Sequence, residues 1–382
     1  MSTSLLIAAL AGLAQAASLA TPWDGQPLWL LQIAAQALLV WLLLSASSAG
    51  QTALRAWVFG AASLSATFGW LFTSMHTYGG LAPPLAAMAV LALAGFLSLY
   101  LAAGGWVFSR LRHVHWILSA MVFGACWLLA ELARAEWFTG FPWGASGYAH
   151  LDGPLASYAR WVGVYGVGYV AAVLSYCVVV AMQSSLRRQS RLPAMAPLLL
   201  VLIMAGLKPW ALRQMDTQSD DASLSTGHLS LALLQGNIPQ DEKFQMGTGV
   251  DTALRWYGQM LRDTHASLLV APETAIPLLP SDMPVNYWAD LQAHLSQSGQ
   301  AALVGTPLGS FEEGYTNSVW GLAPGSAEPY RYDKHHLVPF GEFIPPLFKW
   351  FTRMMNIPLG DFNRGSVGQA SFAWQGQRLA PN

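Results

Sequence analysis

Charge is what this chain has least of. Only 10% of its 382 residues are Asp, Glu, Lys or Arg, while 54% are hydrophobic. An average soluble domain is about 25% charged, so the scarcity excludes a chain that is soluble along its whole length. Cysteine is nearly absent too: Cys126 and Cys177 are the two present, both inside apolar runs, which leaves no disulfide framework. The sequence contains neither H-E-x-x-H nor C-x-x-C, the spacings that would announce a zinc site. No Lys or Arg precedes the first apolar run in "MSTSLLIAAL". Although "GLAQAAS" offers an A-x-A-like cleavage site, the basic start of a signal peptide is lacking, and a retained first helix is expected. No internal repeat or low-complexity segment is visible.

The charges that are present divide the chain in two. Through residue 215 there are 10 Lys/Arg against 4 Asp/Glu, a net of +6; from 216 onward there are 9 against 16, a net of −7. Lipid is the expected surrounding of the first part and water that of the second. Spanning a bilayer takes about 20 apolar residues per helix. The apolar runs predict about seven helices, over 5–20, 28–46, 56–75, 81–108, 115–134, 161–182 and 193–210. One set of alternate loops carries Arg55, Arg110, Arg112, Arg187, Arg188 and Arg191, whereas the other carries little beyond Arg134, at the edge of the long 134–157 loop. Positive loops stay cytoplasmic, which puts the acidic region outside, in the periplasm of a bacterium.

Residues 216–228, "DTQSDDASLSTGH", read as the linker out of the membrane. Beyond them, strands are expected at 229–238, 301–309 and 317–325, with 267–277 a strand running into a Pro-bounded turn, and helices at 252–261 and 285–299, the latter closed by Gly299. Such alternation predicts a layered α/β or α+β domain over 229–382. It looks incomplete, because "GQRLAPN" ends as a new strand begins.

Polar residues in apolar context supply the site candidates. Glu273 follows the run "SLLVAP"; partial burial there would raise its pKa and suit a general base, although a turn or cap residue reads equally well. Lys334 lies in "RYDKHHLVPFGEFIP", where it could stabilise an oxyanion or lower the pKa of a nearby thiol. His335 and His336 point to opposite faces of an extended chain and make a poor chelate. Glu342 is better suited to pair with Lys334 or a substrate amine. Residues 345–358 form an amphipathic helix candidate, fit either to lie in the membrane interface or to face a core. Glu131, Arg134 and Glu136 near the outer end of the fifth helix are functional candidates by their depth, or a mutual ion-pair group.

Four motifs occur in order: "TGFPW" (139–143), "QGNIPQDEKF" (235–244), "APETAIP" (271–277) and "DKHHLVPFGEFIP" (333–345). With them the chain resembles, over essentially its whole length, the bacterial apolipoprotein N-acyltransferases, membrane-anchored members of the carbon–nitrogen hydrolase (nitrilase) superfamily. The resemblance implies a polytopic α-helical membrane domain (residues 1–215) followed by a partial α/β nitrilase-like sandwich domain. It implies a Glu–Lys–Cys triad with Glu273 and Lys334 as its first two members. Glu342 would be a supporting glutamate, and Phe244 stands where the family has a tryptophan. The nucleophilic cysteine would follow in an "ICYE"-like strand, about where the chain stops, and one more membrane helix would come after it. A Cys within about ten residues of Asn382 is therefore expected. The implied reaction moves an acyl chain from a phospholipid to the α-amine of diacylglyceryl-cysteine on an apolipoprotein, through a thioester. No cofactor, metal or nucleic acid is implied, membrane lipid is the surroundings, and a monomer in the inner membrane is expected. Two other readings remain open: a membrane-tethered amidase or nitrilase, and a non-catalytic polytopic protein that binds a partner.

Overall fold

A computed structural model describes residues 3–112, 115–186, 228–326, 328–338, 341–343 and 362–381. Contacts divide the chain into two compact units, Met1–Ala222 and Ser223–Asn382.

The first unit is helical: α1 (Thr3–Leu19), α2 (Trp29–Leu44), α3 (Ala49–Thr67), the short α4 (Trp70–Thr73) running into a π-turn at Ser74–Tyr78, α5 (Pro83–Leu111), α6 (Trp116–Glu136) and α7 (Ala159–Leu186). Five of the seven expected apolar runs coincide with helices to within a few residues; the third, expected as one span over 56–75, instead begins at Ala49, ends at Thr67 and continues after a break as α4. The seventh, 193–210, lies outside the described residues, as do Arg187, Arg188, Arg191 and most of the 216–228 linker. Three helices, α5, α6 and α7, are long and apolar enough to cross a membrane, and a fourth crossing results if α3 and the segment Trp70–Tyr78, bent by 50°, count as one. At 17 and 16 residues, α1 and α2 rise about 25 Å, somewhat short of a hydrocarbon core of about 30 Å. Leu10, Leu91, Met121, Leu129 and Met182 are exposed; that many bare apolar side chains suit lipid and would be costly in water. Inside, Phe59, Phe108, Phe123, Trp127 and Tyr176 pack edge to face or tilted around one core.

The second unit is built on a five-stranded mixed sheet, ordered β1-β2-β3-β4-β5: β1 (Leu231–Leu233), β2 (Leu268–Val270), β3 (Ala301–Ser310), β4 (Gly314–Leu322) and β5 (Tyr330–Asp333). The first three run parallel, β4 is antiparallel to both of its neighbours, and β5 therefore runs in the direction of β1–β3. Parallel neighbours need a crossover, and α8 (Gly249–Asp263) and α9 (Tyr287–Ser298) provide them. Alternating apolar positions explain the core between helices and sheet. Leu261 of α8, Leu291 and Leu295 of α9, and Leu269, Ala302 and Val304 of the strands bury one another completely. Each large side chain among them contributes about 1.5–3 kcal/mol of burial. A separate hairpin, β6 (Phe372–Trp374) with β7 (Gln377–Leu379), packs Phe372 under the opposite face. The strand expected at 229–238 is formed at 231–233 alone. β5 and the hairpin were not foreseen as separate elements.

Candidate active site

The parallel strands deliver their loops to one sheet edge, where such folds commonly bind ligands. β2 ends at Val270, and the next residues are clamped to β3: Ala271 N donates to Leu303 O at 2.9 Å and Ile276 N to Gly305 O at 3.1 Å. Between those bonds Glu273 is carried outward, with Thr274 in the left-handed region at φ 50°, an unusual conformation for a branched residue. β3 admits the turn only because residue 305 is glycine. A Cβ there would lie 2.2 Å from Pro272 O and 2.8 Å from Glu273 Cα.

Lys334 enters from the end of β5. Its main-chain N donates to Asn317 O on β4 at 2.8 Å, so the sheet ladder fixes the root of the side chain. The Nζ then donates to Glu273 Oε1 at 3.2 Å and to Glu342 Oε1 at 3.0 Å. Glu342 is buried, 7% exposed, and its other oxygen accepts from Val338 N at 2.7 Å. Three groups named by the sequence therefore meet in one cluster.

A fourth member escaped the sequence reading. Asn317 Nδ2 donates to Glu273 Oε1 and to Glu342 Oε1, both at 2.5 Å. Its side chain lies between two carboxylates that would otherwise repel, and it is itself buried. The only hint in the sequence was a polar triplet, Thr316, Asn317 and Ser318, inside an apolar strand. Its two flanking hydroxyls serve Asp333: Ser318 Oγ donates at 2.6 Å and Thr316 Oγ1 at 3.0 Å.

The electrostatics correct one expectation. Burial alone would raise the pKa of Glu273, as anticipated. The hydrogen bond from Asn317 and the charge and hydrogen bond of Lys334 outweigh it, and the pKa lies below the ordinary carboxylate value. Lys334 shows the complement. Desolvation lowers its pKa, but the hydrogen bond to Glu342 and the charge of Glu273 overcome that, leaving it raised. The resting cluster thus contains an ionised glutamate and a protonated lysine. Such a lysine stabilises negative charge and does not act as a base.

Among the described residues the remaining candidates make no side-chain hydrogen bond within this cluster. Phe244 is 61% exposed. His335 Nδ1 lies 2.7 Å from Gly365 O, a main-chain partner. Among the described residues no group of three or more His, Cys, Asp or Glu is arranged to hold a metal ion. Residues 345–358 lie outside the described residues. In the helical unit Glu131 and Arg134 are buried while Glu136 is exposed, and the three form no ion pair within 4 Å. Glu131 and Arg134 instead anchor the loop beyond α6. Glu131 accepts from Ser146 N at 2.8 Å, and Arg134 Nη1 donates to Phe141 O and Trp143 O at 2.7 and 2.6 Å. That is the part the "TGFPW" motif plays. Cys126 and Cys177 are buried in the helical core.

Residues 11–177 match the family model described as the apolipoprotein N-acyltransferase N-terminal domain. A protein of Verminephrobacter eiseniae named apolipoprotein N-acyltransferase is 56% identical over 381 residues, covering 98% of this chain and 71% of the relative. Proteins of the same name from Ralstonia nicotianae and Bordetella bronchiseptica are 41% and 36% identical. The alignments cover 93% and 98% of this chain, and 66% and 73% of the relatives.

Proposed function

Since the chain belongs to the apolipoprotein N-acyltransferase family, we propose that the cluster of Glu273, Lys334, Asn317 and Glu342 serves acyl transfer from a phospholipid to the α-amine of a diacylated apolipoprotein. The observation that carries this reading is the convergence of separate sequence motifs on one ammonium group: Lys334 Nζ bridges Glu273 Oε1 and Glu342 Oε1 at 3.2 and 3.0 Å.

In this reading the nucleophile is the cysteine that the family resemblance implies, and neither Cys126 nor Cys177, packed in the helical core, fills that place. Glu273, held ionised, takes the thiol proton, and the thiolate attacks an ester carbonyl of the donor. The oxyanion that forms is stabilised by the Lys334 ammonium. The carbon–oxygen bond breaks, the proton passes from Glu273 to the departing lysophospholipid, and a thioester remains. In the second half the neutral α-amine, whose pKa is ordinarily about 7.7–8.0, attacks the thioester. The amide forms, the thiolate leaves, and the amine proton returns through Glu273. Glu342 keeps Lys334 in place in both halves. The apolar helices support attachment to the membrane. An inner-membrane position, with the catalytic unit on the periplasmic side and the enzyme acting as a monomer, completes the proposal.

The test is N-acylation of a diacylated lipoprotein, read by mass spectrometry of its N-terminal peptide. In the full-length protein Glu273→Gln and Lys334→Ala should each abolish the third acyl chain. Retained triacylation in either variant would refute the assigned roles.

A further inference from the structure

A second lysine reaches Glu273. Lys243 Nζ lies 3.3 Å from the main-chain oxygen of Glu273, while Lys334 holds the carboxylate of the same residue. Its position is built by the backbone. Glu242 N and Lys243 N both donate to Pro239 O, at 3.1 and 2.9 Å, and Gln245 N donates to Glu242 O at 2.7 Å. The turn is pressed against the start of α8, where a Cβ on residue 249 would lie 2.0 Å from Glu242 O. Lys243 is thus presented by a hydrogen-bonded turn.

Among the described residues no carboxylate lies within 4 Å of its ammonium group. Besides the carbonyl, its neighbour is the ring of Phe244, with the centroid 6.0 Å away. Burial lowers the Lys243 pKa, and the Glu273 charge offsets that only in part. An anion bound at Nζ would supply the missing counter-charge.

We infer that Lys243 forms a phosphate subsite that recognises the phosphodiester of the acyl donor. This rests on the acyltransferase reading of the Glu273 site. In that reaction the donor carries a phosphate a glycerol's length from the scissile ester, whereas the acceptor, a diacylglyceryl-cysteine, carries none. The two lysines therefore divide the work: Lys334 meets the reacting carbonyl and Lys243 meets the head group. A charge-assisted contact of this kind matters for one half of the reaction only.

The two half-reactions separate the subsite from a structural role. Full-length wild type, Lys243→Ala and Lys243→Arg are given phosphatidylglycerol in detergent micelles without acceptor, and acyl-enzyme formation is followed by intact-protein mass spectrometry. Pre-acylated enzyme is then given a diacylated lipopeptide. Lys243→Ala should lower kcat/KM for the donor about tenfold or more, leave transfer to the lipopeptide unchanged, and recover largely in Lys243→Arg. Equal slowing of both halves would overturn the proposal, because a lysine that merely steadies the Glu273 turn affects both. Unchanged donor kinetics would overturn it as well. Failure of wild type to form any acyl-enzyme would instead remove the acyltransferase reading on which the subsite rests.

Discussion

A lysine between two carboxylates and an asparagine between the same two make each group's charge depend on the others. Because Glu273 titrates below its unfolded value near 4.3, its contribution to stability is present above that pH and is lost as pH falls through the folded pKa. Lys334 has the opposite sign: its contribution is present below about pH 10.4 and is lost as pH rises through the raised folded value. Both are therefore intact from about pH 5 to pH 10. Comparing thermal midpoints of wild type and Glu273→Gln across pH should show a gap in that window that closes below about pH 4. Asn317 offers a second check. Asn317→Leu is close in volume but leaves buried Glu342 short of a donor, and should cost about 1–3 kcal/mol in denaturant unfolding. It should also move the acid limb of activity upward, since Glu273 loses the hydrogen bond that depresses it most. An acid limb unmoved in Asn317→Leu would mean that the amide plays no part in tuning Glu273.

At the scale of elements, the site depends on how closely the Glu273 turn lies against β3. Gly305→Ala forces a methyl into the space of Pro272 O, and overpacking of this kind typically costs about 1–3 kcal/mol. The expected result is a folded protein with unchanged strand content by circular dichroism and strongly reduced N-acylation; full activity would contradict the clamped turn. Long apolar runs and 3.6-residue periodicity marked α1, α2, α5, α6, α7, α8 and α9 to within a few residues, because in those elements burial follows a single face or a whole segment. Glu273 and Lys334 stood out because charge is rare in apolar context. Asn317 did not, since its meaning lies in two partners 44 and 25 residues away, and no local pattern encodes them. The depressed pKa of Glu273 was missed for the same reason. Burial was inferred from neighbours in sequence, whereas the stronger opposing contributions come from neighbours in space. The three-residue β1 and the late β6–β7 hairpin were obscured because such short segments have too few positions to show a period.

For the whole molecule, the charge asymmetry of the loops makes a prediction about sidedness. Cys126 and Cys177 are buried in the helical core, so once the proposed nucleophilic cysteine is replaced by serine a single introduced thiol can be read without removing them. Glu312→Cys, in the exposed turn between β3 and β4, should react with a membrane-impermeant maleimide in intact spheroplasts. Arg110→Cys should react only after lysis. The reverse pattern would invert the orientation assigned from Arg55, Arg110 and Arg112. Distance along the chain also becomes time during synthesis. Glu273 and Glu342 are separated by 69 residues (342 − 273), and at about 5–20 residues per second the ribosome needs roughly 3 to 14 seconds to make that stretch. Lys334 follows Glu273 by 61 residues, so for most of that interval Glu273 has been made without either partner. The ionic cluster therefore closes late, after the helical unit and all five strands of the sheet have been made, and a nascent chain stalled before residue 334 would carry both without the lysine that joins the two glutamates.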